Sequence, residues 1–147
     1  MSSEAADGVA HYQLIAPARP ESVDLVHEVI AQLWTHEPAP SMLDRIRFET
    51  AVIEILGNIV EHAALVDPPD AHPRQFDLVV TCEADAIEAR FGDDGKPVEI
   101  DLEQVAMPGE DAEDGRGLAM ASAAVDELSY QRIGPVNHWR LVCRRQT

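Results

Sequence analysis

Apolar residues recur along this chain at two periods, and each change of period marks a new element. Val9 to Ala16 alternates weakly and predicts a strand, which Pro17 and Pro20 end. From Glu21 onward, Val23, Val26, Ile30 and Leu33 fall at helical spacing, so a helix is expected to finish before Pro38. Pro38 and Pro40 mark a turn, and Ser41 with Asp44 three residues later makes a helix N-cap with an acid in the first turn. The longest helical pattern runs from Met42 to about Leu65, and Asp67-Pro68-Pro69 stops it. Phe76 to Cys82 and Ile87 to Phe91 read as two strands joined by a hairpin through Glu83-Ala84-Asp85-Ala86. Gly92 to Pro97 reads as a turn, and residues 99–114, acidic and without period, as a loop with at most one helical turn. Leu118, Ala121, Val125 and Leu128 space as a helix face. Two closing strands follow, near Leu128–Arg132 and Asn137–Cys143, around a turn at Gly134-Pro135.

The order is therefore β-α-α-β-β-loop-α-β-β. Strands come in adjacent pairs, which favours an α+β fold with an antiparallel or mixed sheet over a doubly wound one. Residues 1–8 read as a frayed tail and residues 9–147 as a single domain. The length of 147 residues suits one domain, and an apolar fraction of 46% supplies a core.

Charge narrows the class of partner. With 27 acids against 11 bases the net charge is −16. Such a surface repels phosphate backbones and acidic lipid heads, which argues against nucleic-acid or membrane-surface binding. It leaves room for a small anionic ligand, because local backbone N–H groups can override the overall field. No apolar run approaches the ~18–20 residues that span a bilayer, and the polar, acidic start lacks the pattern of a signal peptide. A cytoplasmic protein is expected. Cys82 and Cys143 sit in strand-like apolar contexts and read as buried thiols, with no zinc spacing.

The helix over 42–65 carries the first candidate chemistry. Ile46, Val52, Ile53, Ile55, Leu56, Ile59, Val60 and Ala63 sweep about half its circumference at ~100° per residue. Glu54, Asn58 and His62 form one line at i, i+4 and i+8 outside that arc, with Arg47 near the same meridian. Spacing alone is met by any solvated helix face. Chemically, an Asn carbonyl is a hard oxygen ligand, and a magnesium ion carried by phosphates needs only one or two protein oxygens. A Glu one turn away can accept a proton from a hydroxyl nucleophile.

Two glycine-containing turns add to this. Phe91-Gly92-Asp93-Asp94-Gly95-Lys96-Pro97 follows a strand; a carboxylate there can accept from the amino group of an adenine, and Gly95 lets backbone approach the base. Glu113-Asp114-Gly115-Arg116-Gly117-Leu118 opens a helix, where several N–H groups suit a phosphate chain and Arg116 adds a charge-assisted contact. Neither a P-loop nor a dinucleotide fingerprint is present. His11, His27, His36, His72 and His138 are scattered without metal-ligand spacing, and Trp34 and Trp139 read as packing residues.

In this order and separation the pieces resemble the GHKL ATPase superfamily, and among its members the small anti-sigma-factor serine kinases of the RsbW/SpoIIAB-like group. Glu54-x-x-x-Asn58-x-x-x-His62 resembles the N box, Asp93-Asp94-Gly95-Lys96-Pro97 the first glycine box, and Gly115-Arg116-Gly117-Leu118 the second. Asn137-His138-Trp139-Arg140-Leu141-Val142 resembles the last strand of the small members. The likeness covers nearly the whole chain.

The resemblance implies a two-layer sandwich, a helical layer on one face of a mixed, largely antiparallel sheet (the Bergerat or histidine-kinase-like ATPase fold). It implies ATP and Mg2+ as cofactors. Asn58 would hold magnesium, Glu54 would be the catalytic base, and Asp93 would pin adenine with Gly95 allowing close approach. Gly115, Arg116, Gly117 and Leu118 would form the phosphate side, with residues 99–114 as the ATP lid. The implied activity is phosphorylation of a STAS-domain anti-anti-sigma protein, alternating with sequestration of a sigma factor, in a homodimer.

Two departures motivate a second reading. Pro97 stands where the family usually has glycine, and it stiffens the turn and offers no N–H. The lid is short and acidic, with Glu110, Asp111, Glu113 and Asp114 placed to repel a triphosphate. The alternative is a non-catalytic regulatory module acting by protein–protein contact. A detached histidine-kinase catalytic domain fits less well, given the short length and the closing strand.

Overall fold

The computed structural model describes residues 2–6, 9–36, 38–66, 74–98 and 113–146, without the side chains of 2–6, 64–66 and 113–116. The described elements are β1 (Ser2–Ala6), β2 (Val9–Pro17), α1 (Ser22–Leu33), α2 (Met42–Val66), β3 (Gln75–Cys82), β4 (Ala86–Asp93), α3 (Glu113–Ala124), β5 (Glu127–Ile133) and β6 (Val136–Arg144). Six strands form one sheet in the order β1-β2-β3-β4-β6-β5. Each neighbouring pair is antiparallel.

Period-2 alternation gives this sheet one dry face. Tyr12 and Leu14 of β2, Phe76, Leu78 and Val80 of β3, Ile87, Ala89 and Phe91 of β4, and Trp139 and Leu141 of β6 are buried. Their alternates His11, Gln13, Asp77, Arg90 and His138 are partly or fully exposed. The helices cover only the dry face. α1 contributes Val26, Val29, Ile30 and Leu33; α2 contributes Phe48, Ala51, Val52, Ile55, Leu56 and Ile59. This is the α+β class expected from the element order, in the two-layer arrangement that the resemblance implies.

Local signals behave as their chemistry requires. The Ser41 hydroxyl accepts from the Asp44 N–H at 3.1 Å, the expected N-cap of α2. The β3–β4 hairpin closes through the Glu83 N–H to the Ala86 carbonyl at 2.8 Å. The β5–β6 hairpin turns on Gly134-Pro135, with Gly134 at φ 57°, which suits the first central position of a tight hairpin. That two-residue loop places Arg132 opposite Asn137. Cys82 and Cys143 are free and buried, each cross-strand from Ile87 on β4, so Ile87 lies between them.

Three expectations shift. Residues 2–6, expected as part of a frayed tail, run as β1 against the outer edge of β2, with Ser2 opposite Gln13. The strand satisfies an edge that would otherwise present unpaired backbone groups. Ile46, placed on the apolar arc of the long helix, is 55% exposed beside exposed Met42 and Leu43: it lies near the meridian of Ile53 and Val60, which are only partly buried, while Asp44 and Phe48 take the buried side of these turns. The third closing helix spans Glu113–Ala124, so Leu128 belongs to β5. The terminator Asp67-Pro68-Pro69 lies outside the described residues, as do residues 99–112 of the expected lid over 99–114; residues 113 and 114 begin α3 instead. No helix among the described residues is long and apolar enough to cross a membrane.

Candidate functional site

A cleft opens between α2 and the end of the sheet where β4 finishes and β6 starts. It is lined by Asn58, Ile59, His62 and Ala63 of α2, by Ala18 and Arg74, by Asp93, Gly95, Lys96 and Val98 of the glycine turn, and by Asn137 and Trp139 of β6. The two groups on which the sequence reading depends, Asn58 and Asp93, therefore face one hollow.

Asp93 is the last residue of β4 and points to the dry face, 8% exposed. Its Oδ1 accepts from the Gly95 N–H at 2.9 Å and from Asn137 Nδ2 at 3.0 Å. A Cβ on Gly95 would sit 2.8 Å from that same Oδ1, so the turn can fold back on the carboxylate only with glycine there. Asn137 is 2% exposed and directly opposite Asp93 in the β4–β6 register. It also donates to the Lys96 carbonyl at 2.8 Å, and its Oδ1 accepts from Arg132 at 3.0 Å and from the Tyr130 hydroxyl. The turn is thus tied to β5 and β6 on several atoms.

Two buried N–H groups lining the cleft have no hydrogen-bond partner among the described residues: Asn58 Nδ2 and Trp139 Nε1. An orphaned buried donor costs roughly 1–3 kcal/mol relative to a satisfied one. Orphaned donors opposite a carboxylate acceptor fit a ligand that brings both acceptors and an amino group, as adenine and a phosphate chain do. Rotation of the Asn58 amide exchanges its two ends, so the same side chain can present its carbonyl oxygen to a cation. Among the described residues there is no group of three or more His, Cys, Asp or Glu placed to hold a metal. A site with one protein oxygen suits magnesium carried in on phosphates.

The remaining sequence candidates lie around α3. Glu54, one turn before Asn58 on α2, does not line the cleft. Its Oε2 stands 2.8 Å from where a Cβ on Gly117 would be, so it packs against the first turns of α3. Gly115 and Arg116 also fall in α3, which starts at Glu113; the second glycine motif is therefore inside the helix rather than ahead of it. Acids at positions 113 and 114 favour that earlier start. Leu118 is 2% exposed and joins the core cluster, so its side chain anchors α3 rather than reaching the cleft.

On the opposite, bare face of the sheet, burial pushes the Asp77 carboxyl up. A hydrogen bond from its own backbone N–H and the nearby His138 oppose the shift, and Asp93 adds to it. Asp77 faces Gly92 across β3–β4, and any Cβ at 92 would collide with its carboxylate.

Reasoning from the chain alone missed Asn137, Trp139 and Arg74 as cleft residues, and it placed His62 on the stripe with Asn58 without giving it a role. His62 carried a signal, since it lies one turn past Asn58. Asn137 and Trp139 enter through the β4–β6 register, which pairs them with Asp93 and Phe91 and leaves no local mark in sequence.

Comparison with known structures finds the RsbU and RsbW domains of Rv1364c from Mycobacterium tuberculosis at TM-score 0.60 and 17% identity. The match covers 92% of this chain and 32% of that one, so the present chain spans about a third of the length of the solved structure. At that identity the likeness concerns the fold. No curated protein sequence matches. A family model described as the histidine kinase-like ATPase domain matches residues 16–142, which include the cleft and all three motifs. The chain belongs to the histidine kinase-like ATPase domain family.

Proposed function

We propose that this chain is an ATP-dependent serine/threonine kinase that acts as an anti-sigma factor by partner switching. The observation that carries the nucleotide part is the convergence of Asn58 and Asp93 on one cleft with two orphaned donors. Asp93 would accept from the exocyclic amine of adenine, and Gly95 would let the turn approach the base. Asn58 would hold magnesium through its side-chain oxygen. Magnesium, when bound, supplies neutralisation of phosphate charge. Glu54 would take the proton of a serine hydroxyl as its oxygen bonds to the terminal phosphorus and the bond to the ADP oxygen breaks. Phosphoryl transfer demands mostly positioning and charge stabilisation, which such a sparse site can supply.

The proposed partners are a STAS-domain anti-anti-sigma protein as phosphoryl acceptor and a sigma factor as the sequestered ligand, with the chain acting as a homodimer. Support comes from the motif order and from a fold similar to a structure that contains an RsbW domain. The test is transfer from labelled ATP, with magnesium, to a candidate STAS protein. Transfer by the wild type and its loss in Glu54→Ala is expected. Absence of transfer to every STAS protein encoded beside the chain's gene would remove the kinase reading.

One observation favours a second reading, a non-catalytic regulatory module. Glu54 packs against Gly117 outside the cleft. Under that reading ATP addition yields neither binding heat nor a melting shift.

A further inference from the structure

The glycine turn after β4 is held by side chains from strands distant in sequence. Arg132 Nη1 donates to the Gly95 carbonyl at 2.6 Å, and Asn137 Nδ2 donates to the Lys96 carbonyl at 2.8 Å. The Val98 N–H donates to the Tyr130 hydroxyl at 2.9 Å, and that hydroxyl donates to Asn137 Oδ1. Tyr130 is itself fixed by Trp139, with ring centroids 4.6 Å apart. The turn therefore makes three backbone contacts with one side-chain cluster, and Asn137 stands at the cluster's centre, using both ends of its amide.

The consequence for Asp93 is specific. Both hydrogen bonds that the carboxylate receives from the described residues land on Oδ1, one from Gly95 and one from Asn137. Oδ2 receives none, on a side chain that lines the cleft. A carboxylate is an acceptor only, so a single oriented oxygen is what the cleft presents to a base. A 6-amino purine offers a donor there; a 6-oxo purine offers an acceptor and is repelled.

We propose that Asn137 is the positioning residue of this cleft: clamped by Arg132 and Tyr130, it pins Asp93 Oδ1 so that Oδ2 alone selects 6-amino over 6-oxo purine nucleotides. The proposal rests on the nucleotide reading above and adds the residue that sets base selectivity. Asn137 itself is occupied by protein partners at both amide ends and acts through Asp93. Without it, the carboxylate loses one of two restraints and rotates, presenting either oxygen or a water bridged to it. A bridging water can donate as well as accept, so the penalty against a 6-oxo purine falls while the bond to a 6-amino purine weakens.

The test is calorimetric titration of the full chain with ADP and, separately, GDP, without magnesium, so that neither phosphoryl transfer nor a cation on Asn58 enters. Melting temperature is followed in parallel. The wild type is expected to prefer ADP by about 30-fold or more, in line with a site built around one hydrogen bond. Asn137→Leu is expected to weaken ADP by about tenfold and to strengthen GDP, so the ratio collapses. Tyr130→Phe and Arg132→Met remove one clamp each and are expected to lower the ratio about threefold; they carry the test if Asn137→Leu does not fold. Variants that melt earlier yet keep the wild-type ratio would show a merely structural role and overturn the proposal. A wild type that binds ADP and GDP equally would overturn it as well, leaving nucleotide binding intact. A wild type that binds neither would instead sink the nucleotide reading, and this proposal with it.

Discussion

Glu54 Oε2 occupies the space that a Cβ on Gly117 would enter, 2.8 Å from where that atom would be. The two residues belong to different boxes of the family pattern, and the fold packs one against the other through the α2–α3 contact. Gly117→Ala separates stability from chemistry. Alanine improves helix propensity by up to about 1 kcal/mol, and the tip of Glu54 is free to swing away. The melting temperature is expected to hold or rise slightly. Phosphoryl transfer to a STAS protein is expected to fall by about tenfold or more, because the displaced carboxylate no longer meets the acceptor hydroxyl. Unchanged transfer in Gly117→Ala would show that the position of Glu54 does not matter.

Arg47 links the start of α2 to the end of α3. Its Nε donates to the Ala124 carbonyl at 2.9 Å, and its other nitrogens reach Asp44 and Asp126, each at 3.2 Å. Asp44 is fully buried and also accepts from the Gln146 N–H at 2.8 Å. Arg47→Met leaves that carboxylate without its cation, which is expected to cost about 3 kcal/mol. Adding Asp44→Asn should restore a good part of the loss. Urea unfolding of both single variants and the double variant checks this; additive losses would deny the coupling.

Asp77 predicts a pH effect with a definite sign. Its folded-state carboxyl sits above the ordinary range because of burial, with Asp93 adding to the shift. A folded pKa above the unfolded one means the folded state holds the proton more tightly. Stability from this group is therefore full below the unfolded pKa and falls as pH rises through the folded one. Asp77→Asn should raise the melting temperature at neutral pH and lose that advantage in acid below the carboxylate range. The gain should stay under about 1 kcal/mol, since the group is partly solvated and screened. An equal gain at both pH values would point to a cause other than titration.

What the chain's own pattern could disclose was local. Ser41 with Asp44 announced the start of α2, Glu83 to Ala86 the first hairpin, and Gly134-Pro135 the second, because caps and tight turns are written in adjacent residues. Asn58 and His62 were legible as a stripe by helical period. The cluster of Arg132, Asn137 and Asp93 was not, since it forms only when β4, β6 and β5 settle into one register across strands far apart in sequence. Ile46 misled for a different reason: it sits at the rim of the apolar arc, near the meridian of the half-buried Ile53 and Val60, and a helical wheel does not show where that arc meets solvent. Leu118 reads as part of a ligand motif, yet packing places its side chain in the core.

Affinity for ATP, measured by calorimetry with and without magnesium on wild type, Asn58→Ala and Asp93→Asn, tests the shared cleft most directly. The account predicts that magnesium strengthens binding to the wild type by about tenfold or more, that Asn58→Ala abolishes this gain while keeping magnesium-free affinity within about threefold, and that Asp93→Asn weakens ATP by at least about tenfold in both conditions. Equal ATP affinity in all three proteins, or a magnesium gain that persists in Asn58→Ala, would contradict it.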